Sequence, residues 1–464
     1  MKRSLAIALL TIATAVPALA QSRPPEPAPI ATAAPAEDWT VKPEWISAHV
    51  RFLAGPELQG RGSMTRDEAI AAAYVAARFQ GYGLQPAPGA DGYLQKVKVI
   101  RPRLDGGPKL VVGGKPTNGA TLLFGGAERV EGVATLYMGD DGAALPAGDV
   151  ILAGGPKLSA MAALRATRGR KTKLLVLRES EETQKLWSRL GERPRLDAYL
   201  ASQAPEEGVS VVVLPAAAFD RAAKSAGKPV TMTLPGLVRE AVETTNAIGY
   251  LPGTDPKAGV ILLAAHLDHL GVQPDGTVMH GANDNASGTA AVLELAHALS
   301  SGKRHRRGIL FAAFGAEEMG GFGSRAFAEA PPVPLNEIVA NLAFEMIGAQ
   351  DPKLPAGTMM MTGYERSTLG PTLAARGALI AKDPYPEQNF FARSDNYALA
   401  LRGVVAHTIS GWAVTPTYHS PKDTVDALDI PFMARAIQSL IGPARWLADG
   451  DFRPDWTAGG KPTE

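Results

Sequence analysis

Beyond residue 246, apolar residues come in two alternating textures. Compact runs at 260–265, 308–314, 339–344 and 404–409 are short and almost continuously apolar, which suits strands buried on both faces. The stretches 290–299, 371–380 and 431–447 instead read as helices. Strand and helix in alternation predict an α/β fold, a mostly parallel central sheet sandwiched by helices. The earlier stretch 43–84 also has helical spacing: Ala69, Ala72, Ala73, Val75, Ala76 and Phe79 share one face of a helix that stops at Gly81. Two helices are expected there, joined by the turn around Gly60 and Gly62. Between 108 and 237 the pattern changes to short β-rich runs (134–137, 150–152, 174–177, 209–214) punctuated by Gly, Pro and Asp. The expected organisation is therefore one α/β domain over 39–107 and 238–450, an inserted β-rich domain over 108–237, and a C-terminal tail over 451–464.

The first 38 residues fall outside this pattern. Lys2 and Arg3, an apolar run over 5–16 and Ala18-Leu19-Ala20 before Gln21 make residues 1–20 a secretory signal peptide, followed by a Pro/Ala-rich flexible leader over 21–38. No stretch reaches the roughly 20 apolar residues a membrane-spanning helix needs. The expectation is an exported protein, periplasmic or extracellular, without an integral membrane segment once processed. Lys plus Arg total 47 against 46 Asp plus Glu, so no global field points to nucleic acid or an anionic membrane. With no cysteine anywhere, thiol nucleophiles, thiolate zinc sites and a lipid-modified cysteine are excluded.

Open parallel sheets place their sites beyond the carboxyl ends of the strands. Three of the predicted strands deliver ionisable groups at that edge: the first ends in His266-Leu267-Asp268-His269, the second in Gly315-Ala316-Glu317-Glu318, and the third at Glu345. Asp284 lies in the turn GANDNASG (281–288) at a helix entrance, and His419 in the loop YHSPKDT (418–424). Two His and three carboxylates form a ligand set suited to zinc in an open catalytic site. A carboxylate has two oxygens and can bridge a metal pair about 3.5–4 Å apart, so five ligands can build a two-metal site. Taken singly, these residues have bland readings: a satisfied core histidine, an acidic pair at a helix start, or caps supplied by Asn283, Asn285 and Ser287. Their ordered convergence outweighs those readings. His269 is assigned a supporting or turn role; His49, His280, His297, His305 and His407 a surface or packing role; the run 359–361 a buried strand; and Arg393-Ser394-Asp395-Asn396 either the substrate pocket or a capping or salt-bridge role.

The segments AHLDHLG, GANDNASG, FGAEEMGGFGS, NLAFEMIG and YHSPKDT, in this order, resemble the co-catalytic zinc exopeptidase family that includes bacterial leucyl-type aminopeptidases, glutamate carboxypeptidase and the transferrin receptor. The likeness covers roughly residues 43–450. It implies two Zn²⁺ per chain, with Asp284 bridging, His266 and Glu345 completing one site and Glu318 and His419 the other. Glu317 is then the general base, Asp268 orients His266, and Tyr418 donates to the oxyanion. Glu345 departs from the Asp that many relatives carry. The insertion resembles the family's protease-associated domain, and FLAGPELQGR (52–61) its opening segment. The implied activity is hydrolysis of short peptides as an aminopeptidase. Carboxypeptidase action, a mono-zinc glutaminyl-cyclase-like acyl transfer and a non-catalytic binding role are the alternatives, the last two disfavoured by the complete ligand set. The oligomeric state has no sequence signal.

Overall fold

The computed structural model describes residues 39–205 and 208–463. The segments read as signal peptide and leader lie outside the described residues. No helix among the described residues is long and apolar enough to cross a membrane.

A ten-stranded sheet carries the site. Its order is Tyr199–Leu200, Leu94–Leu104, Leu237–Leu251, Gly308–Phe314, Val260–His266, Ile338–Glu345, Ala406–Ser410, Met359–Met361 and Ile380–Lys382, with Gln85–Pro86 paired to Leu237–Leu251. The four strands from Gly308–Phe314 to Ala406–Ser410 run parallel; on either side, pairing with Leu237–Leu251 and Met359–Met361 is antiparallel. The apolar runs that predicted strands are those central four, and every residue of Val260–His266 and Gly308–Phe314 is buried. Being covered on both faces is what makes such strands continuously apolar rather than alternating.

One face is covered by helices Pro43–Leu53, Arg66–Gly81, Gly288–Ser300 and Ile430–Asp449. The other is covered by Phe322–Glu329 and Asn396–Leu401. Gly288–Ser300 is nearly apolar all round because sheet and helices enclose it together. One expected element differs. The helix foreseen over 371–380 is the short Leu369–Ala374, and the chain turns through Gly377 at φ +95° before the strand Ile380–Lys382. Glycine there adopts a left-handed conformation that terminates a helix, and a helical pattern running through it is not continued.

A second sheet of nine strands is drawn from between Lys109 and Thr233. Its core is packed on both faces, against helix Ala216–Ala223 on one side and Ala160–Ala166 with Glu181–Arg189 on the other. The same stretch also lends Tyr199–Leu200 to the edge of the larger sheet, opposite Val99 and Ile100. That strand ties the two sheets together.

Candidate metal centre

Strand order explains why the chemistry collects where it does. From Val260–His266 the chain crosses first to the neighbour on one side, Gly308–Phe314, and then to the neighbour on the other, Ile338–Glu345. The carboxyl end of Val260–His266 is therefore a topological switch point, where the outgoing loops splay apart and leave a crevice. His266 is the last residue of that strand, Glu345 the last of one neighbour, and Glu317 and Glu318 come just after the other.

Each loop at this edge is held by a buried carboxylate or amide. The Asp268 carboxylate accepts from the backbone N–H of Glu317 (3.0 Å) and Glu318 (3.4 Å) and from Ser63 Oγ (2.5 Å). His266 Nδ1 lies 3.8 Å from Asp268 Oδ1 and 3.3 Å from its backbone oxygen. Glu68 Oε1 accepts from Ala316 N at 2.8 Å, and Asn246 Oδ1 from Gly315 N at 3.0 Å. Asp423 accepts from the N–H of Asn283 (2.8 Å) and Asp284 (3.0 Å), and the Asp284–Asn285 peptide is cis. At Gly281, φ is +61° and a Cβ would meet Asp284 O at 2.3 Å, so only glycine fits. The bland reading of Asn283, Asn285 and Ser287 is that they cap the following helix. Only Asn285 does so, through Gly288 N; the three side chains mainly accept from the N–H groups of Gly348, Met346 and Ile347 and lash the turn to the segment after Glu345.

Held in this way, the predicted residues form two donor groups. His266, Asp284 and Glu345 make one; Asp284, Glu318 and His419 make the other together with His269, and within each group the ligand atoms lie within 4.8 Å of one another. Asp284 belongs to both, with Oδ1 3.3 Å from His266 Nε2 and Oδ2 3.2 Å from His419 Nε2. His419 Nε2 is also 3.2 Å from Glu318 Oε2, while His269 Nδ1 contacts Glu318 Oε1 at 2.8 Å. Although these distances are short, the buried Nε2 atoms of His266 and His419 make no aligned hydrogen bond. Each group therefore brings its nitrogen and carboxylate oxygens close enough together that they could hold a metal ion. Glu317 and Tyr418 line the same cavity, and the Tyr418 ring stacks on His419 at 3.9 Å.

The electrostatics point the same way. Burial raises the Glu317 carboxyl well above its ordinary value and pushes Glu345 up to about 7 and Asp395 up to about 6. Against burial, His266 and His419 hold Asp284 low, and His269 and His419 hold Glu318 low. Burial would lower His419, but Asp284 and Glu318 carry it up to about 10. Carboxylates outnumber imidazoles in a site shielded from water, an arrangement that is costly unless cations share it. Ala316, Met346 and His419 add positive φ values of 51°, 53° and 48°, each costing about 1–2 kcal/mol for a residue with a Cβ. His419 is a donor, Met346 adjoins the donor Glu345 and Ala316 adjoins Glu317, so the backbone carries strain where the site needs its geometry.

Three supporting residues had no assigned role in the sequence. Asp423 sits in the quoted YHSPKDT and Arg61 in FLAGPELQGR, whereas Glu68 lies on a helix where its spacing gave no signal. Arg61 is fully buried and donates to four backbone oxygens, those of Leu53, Leu267, His280 and Gly281. It binds the first helix to the loops carrying His266 and Asp284. Arg61→Met should lower the unfolding free energy by about 3–5 kcal/mol, as measured by denaturant titration, because it strands buried acceptors that methionine cannot satisfy. Four of the other histidines make contacts outside the donor groups. His49 pairs with Glu294 and Tyr74, His305 with Asp449, and His407 with Ser367, while His297 stacks on Tyr82.

Two spaces open from the donor groups. A cavity of about 50 Å³ at the Glu345 side is lined by Met346, Met360, Phe390 and Ala413 as well as Arg393. On the Glu318 and His419 side lies a cleft of about 1310 Å³ that also reaches Arg195 and Asp197, from the stretch that carries the second sheet.

Comparison with known proteins gives a consistent result. Residues 246–441 match peptidase family M28. The chain is 30% identical over 207 residues to a probable lipoprotein aminopeptidase, LpqL, of Mycobacterium tuberculosis, covering 38% of this chain and 40% of that protein. It is 36% identical over 114 residues to an aminopeptidase of Pseudomonas aeruginosa, covering 24% and 20% respectively. The chain thus spans less than half the length of these curated relatives. Among solved structures, the aminopeptidase from Aneurinibacillus sp. strain AM-1 superposes with a TM-score of 0.55 at 19% identity, over 88% of this chain and 95% of that one. The zinc aminopeptidase BSAP from Bacillus subtilis superposes with 0.53 at 17% identity, over 92% and 99%. At those identities the likeness establishes the fold.

Proposed function

The chain carries a peptidase family M28 domain over residues 246–441, and on that premise we propose that it is a two-zinc exopeptidase, exported from the cytoplasm, that removes the amino-terminal residue of short peptides. The observation that carries this reading is Asp284, which offers one oxygen to each of two donor groups, facing the Nε2 atoms of His266 and His419, which lack aligned hydrogen bonds. His266, Asp284 and Glu345 hold one zinc; Asp284, Glu318 and His419 hold the other, and His269 steadies Glu318 through its 2.8 Å contact. The nitrogen and oxygen donors, without thiolate, fit zinc in catalytic rather than structural use. When bound, the metal pair supplies Lewis acidity that acidifies a water and polarises the scissile carbonyl.

The chain's own residues do the rest. Glu317, held by Asp268 through its backbone and raised in basicity by burial, takes the water's proton and returns it to the departing amine. Tyr418 lines the same cavity and donates its hydroxyl proton to the oxyanion as charge develops there. The relatives named above, LpqL and the Pseudomonas aeruginosa protein, are described as aminopeptidases, which supports aminopeptidase action. Arg393 lines the Glu345 cavity and gives the second reading, a carboxypeptidase that clamps a terminal carboxylate. Residues 108–237 form an inserted unit that roofs the larger cleft.

Purified protein should contain two zinc ions per chain and cleave aminoacyl substrates with a free amine. Removing metal with a chelator should abolish turnover, and adding zinc back should restore it. Preference for amine-blocked peptides with a free carboxylate would move the assignment to carboxypeptidase. One ion or none, without hydrolysis, would overturn it.

A further inference from the structure

With 47 basic and 46 acidic residues, the chain as a whole has almost no net charge. The cleft on the Glu318 and His419 side does not share that balance. Arg101, Arg195, Arg325, Arg393 and Arg402 all line it, and among the described residues, apart from Glu317 and Glu318, assigned above to the reaction and the metals, the one acidic lining residue is Asp197. Arg101 and Arg195 come from strands of the two sheets, Arg325 from helix Phe322–Glu329, and Arg393 and Arg402 from the chain just before and after helix Asn396–Leu401, so no single charged helix face accounts for them.

Two of the five are offset locally. Arg101 pairs with Glu240 at 3.2 Å, and Arg195 lies 3.6 Å from Asp197. The other three have no carboxylate partner among the described residues. Arg325 donates to Gln203 Oε1 at 2.8 Å and stands over the Phe322 ring, Arg402 donates to the Ala398 carbonyl at 3.1 Å, and Arg393 stands over the Phe390 ring. Arg393 and Arg402 are exposed and Arg325 is half-buried, so their guanidinium groups keep donors free for a ligand. A concave surface lined by one sign of charge focuses its field into the cleft, and guanidinium groups bind carboxylates through paired donors.

We propose that this cleft receives the part of the peptide beyond the scissile bond and selects acidic peptides, whose side-chain and terminal carboxylates engage Arg325, Arg402 and their neighbours. The inference rests on the exopeptidase reading, because the size of the two spaces assigns them their contents. The small cavity at Glu345 takes the single terminal residue, and the 1310 Å³ cleft takes the remainder of the peptide.

The test compares kcat/KM for Leu-Gly-Glu-Glu with a free carboxyl terminus against Leu-Gly-Gln-Gln amide, with leucine anilide as the reference that does not extend into the cleft. The acidic peptide should be favoured about tenfold at low salt, falling towards parity at high ionic strength, where exposed charges are screened. In the double variant Arg325→Ala/Arg402→Ala the preference should drop below about threefold. An acid-to-neutral ratio near one in the unmodified protein, or an undiminished ratio in the variant, would overturn the inference. Hydrolysis of the anilide reports separately on the exopeptidase reading. If it fails, calorimetric binding of N-acetyl-Gly-Glu-Glu-Glu still decides the cleft: binding lost in the double variant supports the inference, and absence of binding refutes it.

Discussion

Glu317→Gln should lower kcat by about 10²–10⁴-fold while leaving zinc content and KM close to those of the unmodified protein. Glu317 belongs to neither donor group, yet it lines the cavity those groups open into. Its main chain is fixed by the Asp268 carboxylate at 3.0 Å, independently of what the side chain does, so an isosteric amide leaves the loop in place. What glutamine lacks is a basic oxygen that can take a proton and give it back. Burial raises the Glu317 carboxyl well above its usual range, so its conjugate acid is a better match to a leaving amine than an ordinary glutamate's would be. Metal analysis beside steady-state kinetics separates the roles: loss of zinc would make Glu317 a ligand, and kcat within tenfold of the unmodified protein would remove it as the proton carrier.

The parts of the site that could be read in the sequence are those whose residue type and chain position coincide. His266 and Glu345 terminate strands that are apolar without interruption, so the end of each run marks the group that chemistry can use. Asp284 and His419 lie in loops, but in short polar motifs whose order matches a known family. Long-range support left no such mark. Glu68 looks like any acid in the first turn of a helix, and it does accept from the backbone N–H of Met64 there; its second oxygen reaches across the fold to Ala316 and Thr244. Asp268, two residues beyond His266, invites a reading as that imidazole's orienting partner; its Oδ1 stands 3.8 Å from His266 Nδ1, and the closer contacts, which the sequence does not mark, are to Ser63 and the Glu317 N–H. His269, read as a supporting or turn residue, stands beside the second group of donors with its Nδ1 2.8 Å from Glu318. Each of these contacts joins segments that are far apart in the chain, and local periodicity carries no record of which distant backbone group a carboxylate will meet.

Fold and site also differ in what they demand of the sequence. The central strands need only continuous apolar character, and many residues satisfy that, so they could be placed without any family likeness. The loops at their carboxyl ends require particular residues in unfavourable backbone conformations, as at Ala316, Met346 and His419. Strain of that kind survives only where surrounding hydrogen bonds over-determine the backbone, which is the work of Glu68, Asp268, Asp423 and Asn285. The network that was hardest to read is thus the one that makes the readable residues effective.

Asp284→Ala should cost the protein both metal ions together with its activity. Replacing His266 or Glu345 strips donors from one group and leaves the other whole; Asp284 alone is common to the two. Its backbone N–H remains bonded to Asp423, and Asn283, Asn285 and Ser287 remain tied to the loop after Glu345, so the turn itself should persist. The loss should therefore appear as metal content rather than as unfolding. Linkage adds a second consequence. A ligand present at a thousand times its Kd stabilises the folded state by about 4 kcal/mol, so adding zinc should raise the melting temperature of the unmodified protein by several degrees and that of the variant hardly at all. Elemental analysis after dialysis, with thermal denaturation run with and without zinc, measures both. A variant that keeps two tightly held ions, or that shows the full zinc-dependent gain in melting temperature, would show that the metals do not share Asp284.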